Sequence, residues 1–169
     1  MLGASGTGKS SLVKAGLIPY IKRNRGQQWH ILKPIRPGES PLKALYNTLN
    51  QTLFTDNLLL NTEAHVVNWL QQNPQSKLML VIDQAEELFT LCRNEQERED
   101  FLKLFAVLVA NNSDNLRVVL SLRSDFEPQL SNSALEPYWY SSRVPCCLTT
   151  GPDKSNSLSS ELSTATISP

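Results

Sequence analysis

Residues 3–10 constrain the fold of this chain more than any other stretch. They read Gly-Ala-Ser-Gly-Thr-Gly-Lys-Ser and match the Walker A pattern G-x-x-x-x-G-K-[ST]. In such a loop the glycines permit conformations that a Cβ would block, and backbone N–H groups surround an anion at the positive end of a helix. Lys9 would reach phosphate oxygens and the Ser10 hydroxyl would ligate Mg²⁺. The predicted nucleotide-binding residues are Gly3, Gly6, Thr7, Gly8, Lys9, Ser10 and Ser11.

The position of this motif predicts an incomplete frame around it. A phosphate-binding loop of this kind normally joins the end of a buried strand to the start of a helix. Only two residues precede Gly3, so we expect the first strand of the sheet to be missing. The alternative interpretation is a flexible Gly/Ser-rich segment. However, the four fixed positions of the motif match by chance in roughly 1% or less of chains of this length.

Composition excludes several classes of protein. Sixteen basic and sixteen acidic residues cancel, which argues against a broad nucleic-acid-binding or anionic-membrane surface. The apolar stretches are too short to cross a bilayer, and no basic-then-apolar signal segment opens the chain. The three cysteines lack metal-ligand spacing, so we expect a reduced, cytoplasmic setting.

Apolar periodicity predicts that strands and helices alternate along the chain, which indicates an open α/β sheet with ligands at the carboxyl ends of its strands. The first predicted helix runs from Lys9 to about Ile18, where Pro19 ends or kinks it. Further helices are predicted at residues 42–53, 63–72 and 95–111, and another begins within residues 84–91. Strands are predicted at residues 29–35, 78–82 and 117–122.

A second chemical motif is the apolar run at residues 78–82, followed by Asp-Gln-Ala-Glu-Glu. Asp83, at the carboxyl end of a buried strand, can hold the Mg²⁺ shell opposite Ser10, as a Walker B aspartate does. Glu86 and Glu87 lie one helical turn further on, and either could orient an attacking water. The alternative is that these acids only favour the first turn of a helix, where the helix dipole stabilises them.

Arg123 directly follows the last predicted strand, within Ser-Leu-Arg-Ser-Asp-Phe. A guanidinium at that strand end could contact the γ-phosphate of a nucleotide and report whether it is present. The alternative is a surface arginine that pairs with Asp125.

The order of these segments resembles the novel STAND-type NTPases, which are often found upstream of WD-repeat arrays in large bacterial, especially cyanobacterial, signalling proteins. Residues 3–19 resemble the P-loop and first helix of that family, and residues 36–41 resemble its Arg-Pro-Gly loop. Residues 81–89 resemble its Asp-Gln-Phe-Glu-Glu-Leu-Phe signature, with Ala85 in place of the usual Phe. Residues 122–126 resemble its Arg-x-Asp-Phe segment.

The resemblance implies a P-loop NTPase fold with three α/β/α layers around a parallel sheet. It also implies an ATP- and Mg²⁺-binding module that hydrolyses ATP slowly and acts as a conformational switch in signal transduction. Asp83 would be the Mg²⁺-linked acid, Glu86 or Glu87 would orient water, and Arg123 would sense the γ-phosphate. In full-length relatives, WD-repeat or other effector domains of the same chain would be the partners.

Departures from the family pattern suggest a truncated or frame-shifted fragment. We expect the first and fifth strands of the sheet to be missing, which leaves an open apolar edge that promotes self-association. Residues 1–143 would form a partial NTPase domain, and the Ser/Thr-rich residues 144–169 a disordered tail.

Two functions therefore remain open. One is an ATP-binding switch module, and the other is a vestigial fragment with weak or no nucleotide binding. A metabolite kinase or a GTPase is a weaker third interpretation. The chain has no Asn-Lys-x-Asp segment to read guanine, and its Asp-x-x-Glu-Glu arrangement favours ATP hydrolysis over transfer to a small acceptor.

Overall fold

The computed structural model describes residues 1–23, 28–53 and 62–142, and it confirms an α/β fold with parallel strand pairing. A π-helical turn spans Leu12–Leu17, and a 3₁₀ turn spans Ser124–Phe126. The helices are α1 (Lys9–Ser11), α2 (Ile18–Arg23), α3 (Pro41–Thr52), α4 (Thr62–Gln72), α5 (Glu87–Thr90), α6 (Glu95–Asn111), α7 (Glu127–Ser131) and α8 (Glu136–Ser142). The strands are β1 (Leu2–Gly3), β2 (Gln28–Ile31), β3 (Ser76–Ile82), β4 (Leu116–Leu120) and β5 (Leu122–Arg123).

The parallel strands join into one arrangement across a break at Ser121. Strand β3 lies between β2 and β4, and β1 pairs with β5. Ser121 alone separates β4 from β5. The Met1 ammonium donates a hydrogen bond to the Leu120 carbonyl at 2.7 Å, and the Leu122 N–H donates to the Met1 carbonyl at 3.0 Å. The strand order therefore runs β2, β3, β4/β5, β1, which places the phosphate-binding loop beside the end of β5.

The expectation that the first strand is missing needs correction, because β1 exists as a two-residue strand. Leu2 pairs with Leu122 and Gly3 pairs with Arg123, in parallel register. Leu2 is buried in the main core, so a single apolar side chain and a few ladder hydrogen bonds anchor this strand. Among the described residues after Arg123, up to residue 142, no further strand forms.

Strand β3 is buried on both faces, as its continuous apolar sequence predicts. Its even-numbered residues from 78 to 82 enter the main core, which includes Phe101 and Phe105 of α6 together with residues of α3 and α4. Met79 and Val81 point to the opposite face and cluster with Val13 of the π-helical turn. Helices therefore cover both faces of the sheet, which gives the three predicted layers.

The helix after the phosphate-binding loop extends further than predicted. We expected Pro19 to end or kink it, and it does not end there, because helical structure continues from Lys9 to Arg23. Proline has no N–H, and its ring clashes with the carbonyl group four residues earlier in an α-helix. The preceding π-helical turn, in which the Ile18 N–H donates to the Val13 carbonyl, widens the backbone ahead of the proline. The chain accommodates Pro19 by this local widening.

Strand β2 is shorter than the predicted 29–35. It ends at Ile31. Afterwards the Leu32 N–H still donates to the Met79 carbonyl at 3.0 Å, and Ile35 forms an isolated bridge with Ile82 in β3. Pro34 has no N–H to donate to a strand ladder, which explains the interruption. The predictions for the remaining strands and helices are confirmed to within a few residues, and α6 has the predicted bounds.

Two predictions fall beyond the part of the chain that the structure describes. The domain boundary at residue 143 and the tail at residues 144–169 lie outside it, and both stay predictions.

Candidate functional site

The loop between β1 and α1 is shaped by two glycines in the left-handed region. Gly6 has φ 77° and Gly8 has φ 76°, a conformation that side chains other than glycine rarely adopt. No atom lies within 4 Å of where a Cβ would stand at either glycine, so the backbone angle and not crowding requires glycine there. The Thr7 hydroxyl donates to the Ala4 carbonyl at 2.9 Å and ties the loop to itself.

Lys9 is buried within this loop and is held by the loop's own backbone. Its ammonium donates to the carbonyl oxygens of Gly3 and Ala4, both at 2.7 Å. A bound phosphate would compete with these two carbonyl groups for the ammonium. The Lys9 ammonium thus lies within the loop, where a bound phosphate would also lie.

Asp83 lies at the carboxyl end of β3 and is 1% exposed. The Ser10 hydroxyl donates to its Oδ1 at 2.6 Å, so the two predicted metal-linked residues meet although they are 73 positions apart. The Ser121 hydroxyl donates to the same Oδ1 at 2.8 Å. The loop, the end of β3 and the break between β4 and β5 therefore converge on one carboxylate.

The second carboxylate oxygen of Asp83 is less well satisfied. Oδ2 is buried and accepts no aligned hydrogen bond from the described residues, although the Lys14 ammonium lies 2.8 Å away as an ion pair. Burial raises the pKa of Asp83, but Lys14 and the hydroxyls of Ser10 and Ser121 outweigh that effect and bring the net pKa below its usual value. The carboxylate is thus ionised at neutral pH.

The residues around Asp83 fit a Mg²⁺ ion of the kind that accompanies a nucleotide. A buried carboxylate oxygen without an aligned donor and a serine hydroxyl beside it are hard oxygen ligands. Among the described residues, no group of three or more His, Cys, Asp or Glu side chains could hold a metal by itself. Mg²⁺ is commonly held by one or two protein ligands together with phosphate oxygens and waters, so Ser10 and Asp83 would suffice.

The structure distinguishes the two glutamates that the sequence left equivalent. Glu86 Oε2 accepts a hydrogen bond from the Arg123 backbone N–H at 3.3 Å. Glu87 Oε2 accepts one from the backbone N–H of Gly38, in the Arg-Pro-Gly turn, at 3.1 Å. Glu86 is therefore joined to β5, next to β1, whereas Glu87 is joined to the connection that follows β2 on the opposite side of β3.

The Arg123 guanidinium pairs with Asp125, which was the alternative interpretation of the sequence. It donates to both carboxylate oxygens of Asp125, at 3.2 and 2.7 Å, and lies 5.5 Å from the centre of the Phe126 ring. Within the described part of the chain, no hydrogen bond joins the guanidinium to Asp83. The structure therefore places Arg123 at the predicted strand end but directs its side chain towards a near neighbour.

Sequence reasoning missed three residues of this site: Lys14, Gln84 and Ser121. Gln84 has φ 57°, which is uncommon for a residue other than glycine. Its N–H donates to the Ser121 hydroxyl at 3.0 Å, and the Ala85 N–H donates to the Ser121 carbonyl at 2.8 Å. Ser121 thus holds the turn after Asp83 as well as the carboxylate. The available signal was a single polar residue within the apolar run at 118–122.

In the described part of the chain, each helix is too short or too polar to cross a bilayer.

Comparison with known proteins relates this geometry to a family. The family model described as novel STAND NTPase 1 matches residues 1–149, which include every residue of the site above. A search of curated proteins gives no match.

Proposed function

This chain belongs to the novel STAND NTPase 1 family, and we propose that it is an ATP- and Mg²⁺-binding switch module that hydrolyses ATP slowly. The observation that carries this proposal is the 2.6 Å hydrogen bond between Ser10 and the buried Asp83. A hydroxyl at the end of the phosphate-binding loop and a carboxylate at the end of a nearby parallel strand are the two protein ligands that a P-loop offers to Mg²⁺. The absence of an Asn-Lys-x-Asp segment in the sequence favours ATP over GTP.

Each residue of the site has a distinct task in this proposal. The left-handed Gly6 and Gly8 let the loop backbone curve around the phosphates. Lys9 leaves the carbonyl groups of Gly3 and Ala4 and contacts phosphate oxygens. Ser10 and Asp83 hold Mg²⁺, which when bound neutralises charge on the phosphates.

We assign the orientation of the attacking water to Glu86 and not to Glu87. Glu86 is joined to β5, and β5 pairs with β1, the strand that leads into the phosphate-binding loop. Glu87 is joined to Gly38, on the side of β3 that is remote from this loop. The strand order therefore supports Glu86 as the carboxylate nearer to a terminal phosphate. Glu87 then acts as a positioning residue that holds the Arg-Pro-Gly turn.

Isothermal titration of Mg·ATP into the purified chain tests the binding proposal. Micromolar binding is expected in the wild type, and it should be lost in Lys9→Ala because phosphate loses its cationic partner. Lys22→Ala is the matched control, since Lys22 is an exposed lysine of α2. Wild-type protein that is folded, by circular dichroism, but binds no Mg·ATP would contradict the proposal. That result would favour the vestigial fragment.

A further inference from the structure

Lys14 and Ser10 approach the same buried carboxylate from one helical segment. They are four residues apart, about one turn, so their side chains lie on the same face. Ser10 donates to Oδ1 of Asp83 at 2.6 Å, and the Lys14 ammonium lies 2.8 Å from Oδ2. A single turn of this segment thus contacts both oxygens of Asp83.

The contact with Lys14 differs from the contact with Ser10 in a way that makes it exchangeable. The Lys14 side chain is 47% exposed, whereas the Asp83 side chain is 2% exposed. Oδ2 accepts no aligned hydrogen bond from the described residues, so the ammonium at 2.8 Å is the one cation paired with it there. A half-exposed lysine can turn its head group back into water, but the buried carboxylate then needs another cation in its place.

We propose that Lys14 is an internal counterion that Mg²⁺ must displace from Asp83, so that Lys14 sets the metal concentration at which the site loads. This inference rests on the proposed function, because it takes Asp83 as the metal-linked carboxylate. Two cations at contact distance from one carboxylate repel each other. In the metal-free state Lys14 neutralises the buried charge, and in the metal-bound state the ammonium moves into solvent.

A purely structural ion pair would behave differently. Removal of the ammonium would then lower the stability of the folded chain but leave the affinity for divalent metal unchanged. Displacement instead predicts that loss of the ammonium raises metal affinity. The direction of the change in metal affinity therefore separates the two roles, and this measurement needs no nucleotide.

The test is a titration of the full chain with Mn²⁺, without nucleotide, in which electron paramagnetic resonance measures the free ion. We expect Lys14→Gln to lower the half-saturating Mn²⁺ concentration about three- to tenfold, because a competing unit charge at contact distance is removed. Lys14→Arg keeps the charge and should behave like the wild type, as should Lys22→Gln. Asp83→Asn in the Lys14→Gln background should abolish the gain.

An unchanged or higher half-saturating concentration in folded Lys14→Gln would overturn the inference, and so would the absence of Mn²⁺ binding to it. If Mn²⁺ binding improves while Mg·ATP fails to bind the wild type, the proposed function fails and the displacement stands.

A measurement on the wild type covers the case in which Lys14→Gln does not fold. Reductive methylation followed by mass spectrometry reports how accessible each lysine is to reagent. Saturating Mn²⁺ should increase the methylation rate of Lys14 severalfold relative to Lys22, because the ammonium leaves Asp83. An equal rate at Lys14 with and without the metal would overturn the displacement.

Discussion

Asp83 and Arg123 both stand at the carboxyl end of a strand, yet their partners differ. Asp83 is 1% exposed, and the partners of its carboxylate come from positions 73 and 38 residues away, Ser10 and Ser121. The Arg123 side chain is 40% exposed and pairs with Asp125, two residues away. A buried charge is costly without partners, so the fold must supply them from distant segments. An exposed charge pairs with its neighbour and stays able to exchange it.

Neutralising the buried carboxylate of Asp83 should have the largest effect on ATP binding and on stability. We expect Asp83→Asn to abolish Mg²⁺-dependent ATP binding and to lower the free energy of unfolding by about 1–2 kcal/mol, because hydrogen bonds and an ion pair to an ionised group are lost. Titration calorimetry and urea denaturation measure the two effects. The matched change Asp125→Asn should alter stability by less than about 0.5 kcal/mol. Equal losses in both variants would remove the distinction between the regions.

The next largest effect is expected on the rate of ATP hydrolysis, which should differ between substitutions of Glu86 and Glu87. Glu86→Gln is expected to slow ATP hydrolysis about 100-fold with binding retained, since a carboxylate that orients water is lost. Glu87→Gln should slow it much less, because that carboxylate holds the Gly38 turn. Single-turnover hydrolysis with saturating enzyme measures both rates. The reverse order of effects would contradict the assignment of Glu86.

Removal of the Ser121 hydroxyl tests how far long-range partners stabilise the buried region. The hydroxyl donates to Asp83 and accepts from the Gln84 N–H, so Ser121→Ala should lower the free energy of unfolding by about 1–2 kcal/mol. Ser124→Ala, at an exposed serine beside Arg123, is the control and should have almost no effect. Thermal and urea unfolding would show whether the two serines differ as expected.

The smallest effect on stability is expected at Arg123 itself. Arg123→Gln breaks an exposed ion pair and should change the free energy of unfolding by less than about 0.5 kcal/mol. If Arg123 leaves Asp125 to contact the γ-phosphate, the variant should lose the preference for ATP over ADP in titration calorimetry. An unchanged preference would leave Arg123 as a surface residue only.

Patterns of adjacent residues predicted much of this site. The glycine spacing predicted the loop, and the apolar run before Asp83 predicted a strand buried on both faces with an acid at its end. Apolar periodicity predicted the bounds of α6. Each of these features depends on residues that are close in the chain, so the sequence contains the relevant information.

Such local patterns could not predict which distant residues pair with each other. The two-residue strand β1 forms because it pairs with Leu122 and Arg123 in parallel register. The two residues before Gly3 gave no indication of this pairing. The different partners of Glu86 and Glu87 follow from the strand order and not from their own surroundings in the chain.

Local chemistry along the chain was therefore enough to predict a phosphate-binding loop and a metal-linked acid, and to identify the α/β framework. The partners of the buried charge came from the packed fold, through Ser121 and Lys14 at Asp83, whereas the exposed Arg123 pairs with Asp125, the neighbour that the sequence had already offered. The physical reason is burial. A buried charge is costly unless other groups pair with it, and the neighbouring residues in the sequence do not specify which groups the fold brings into contact with it.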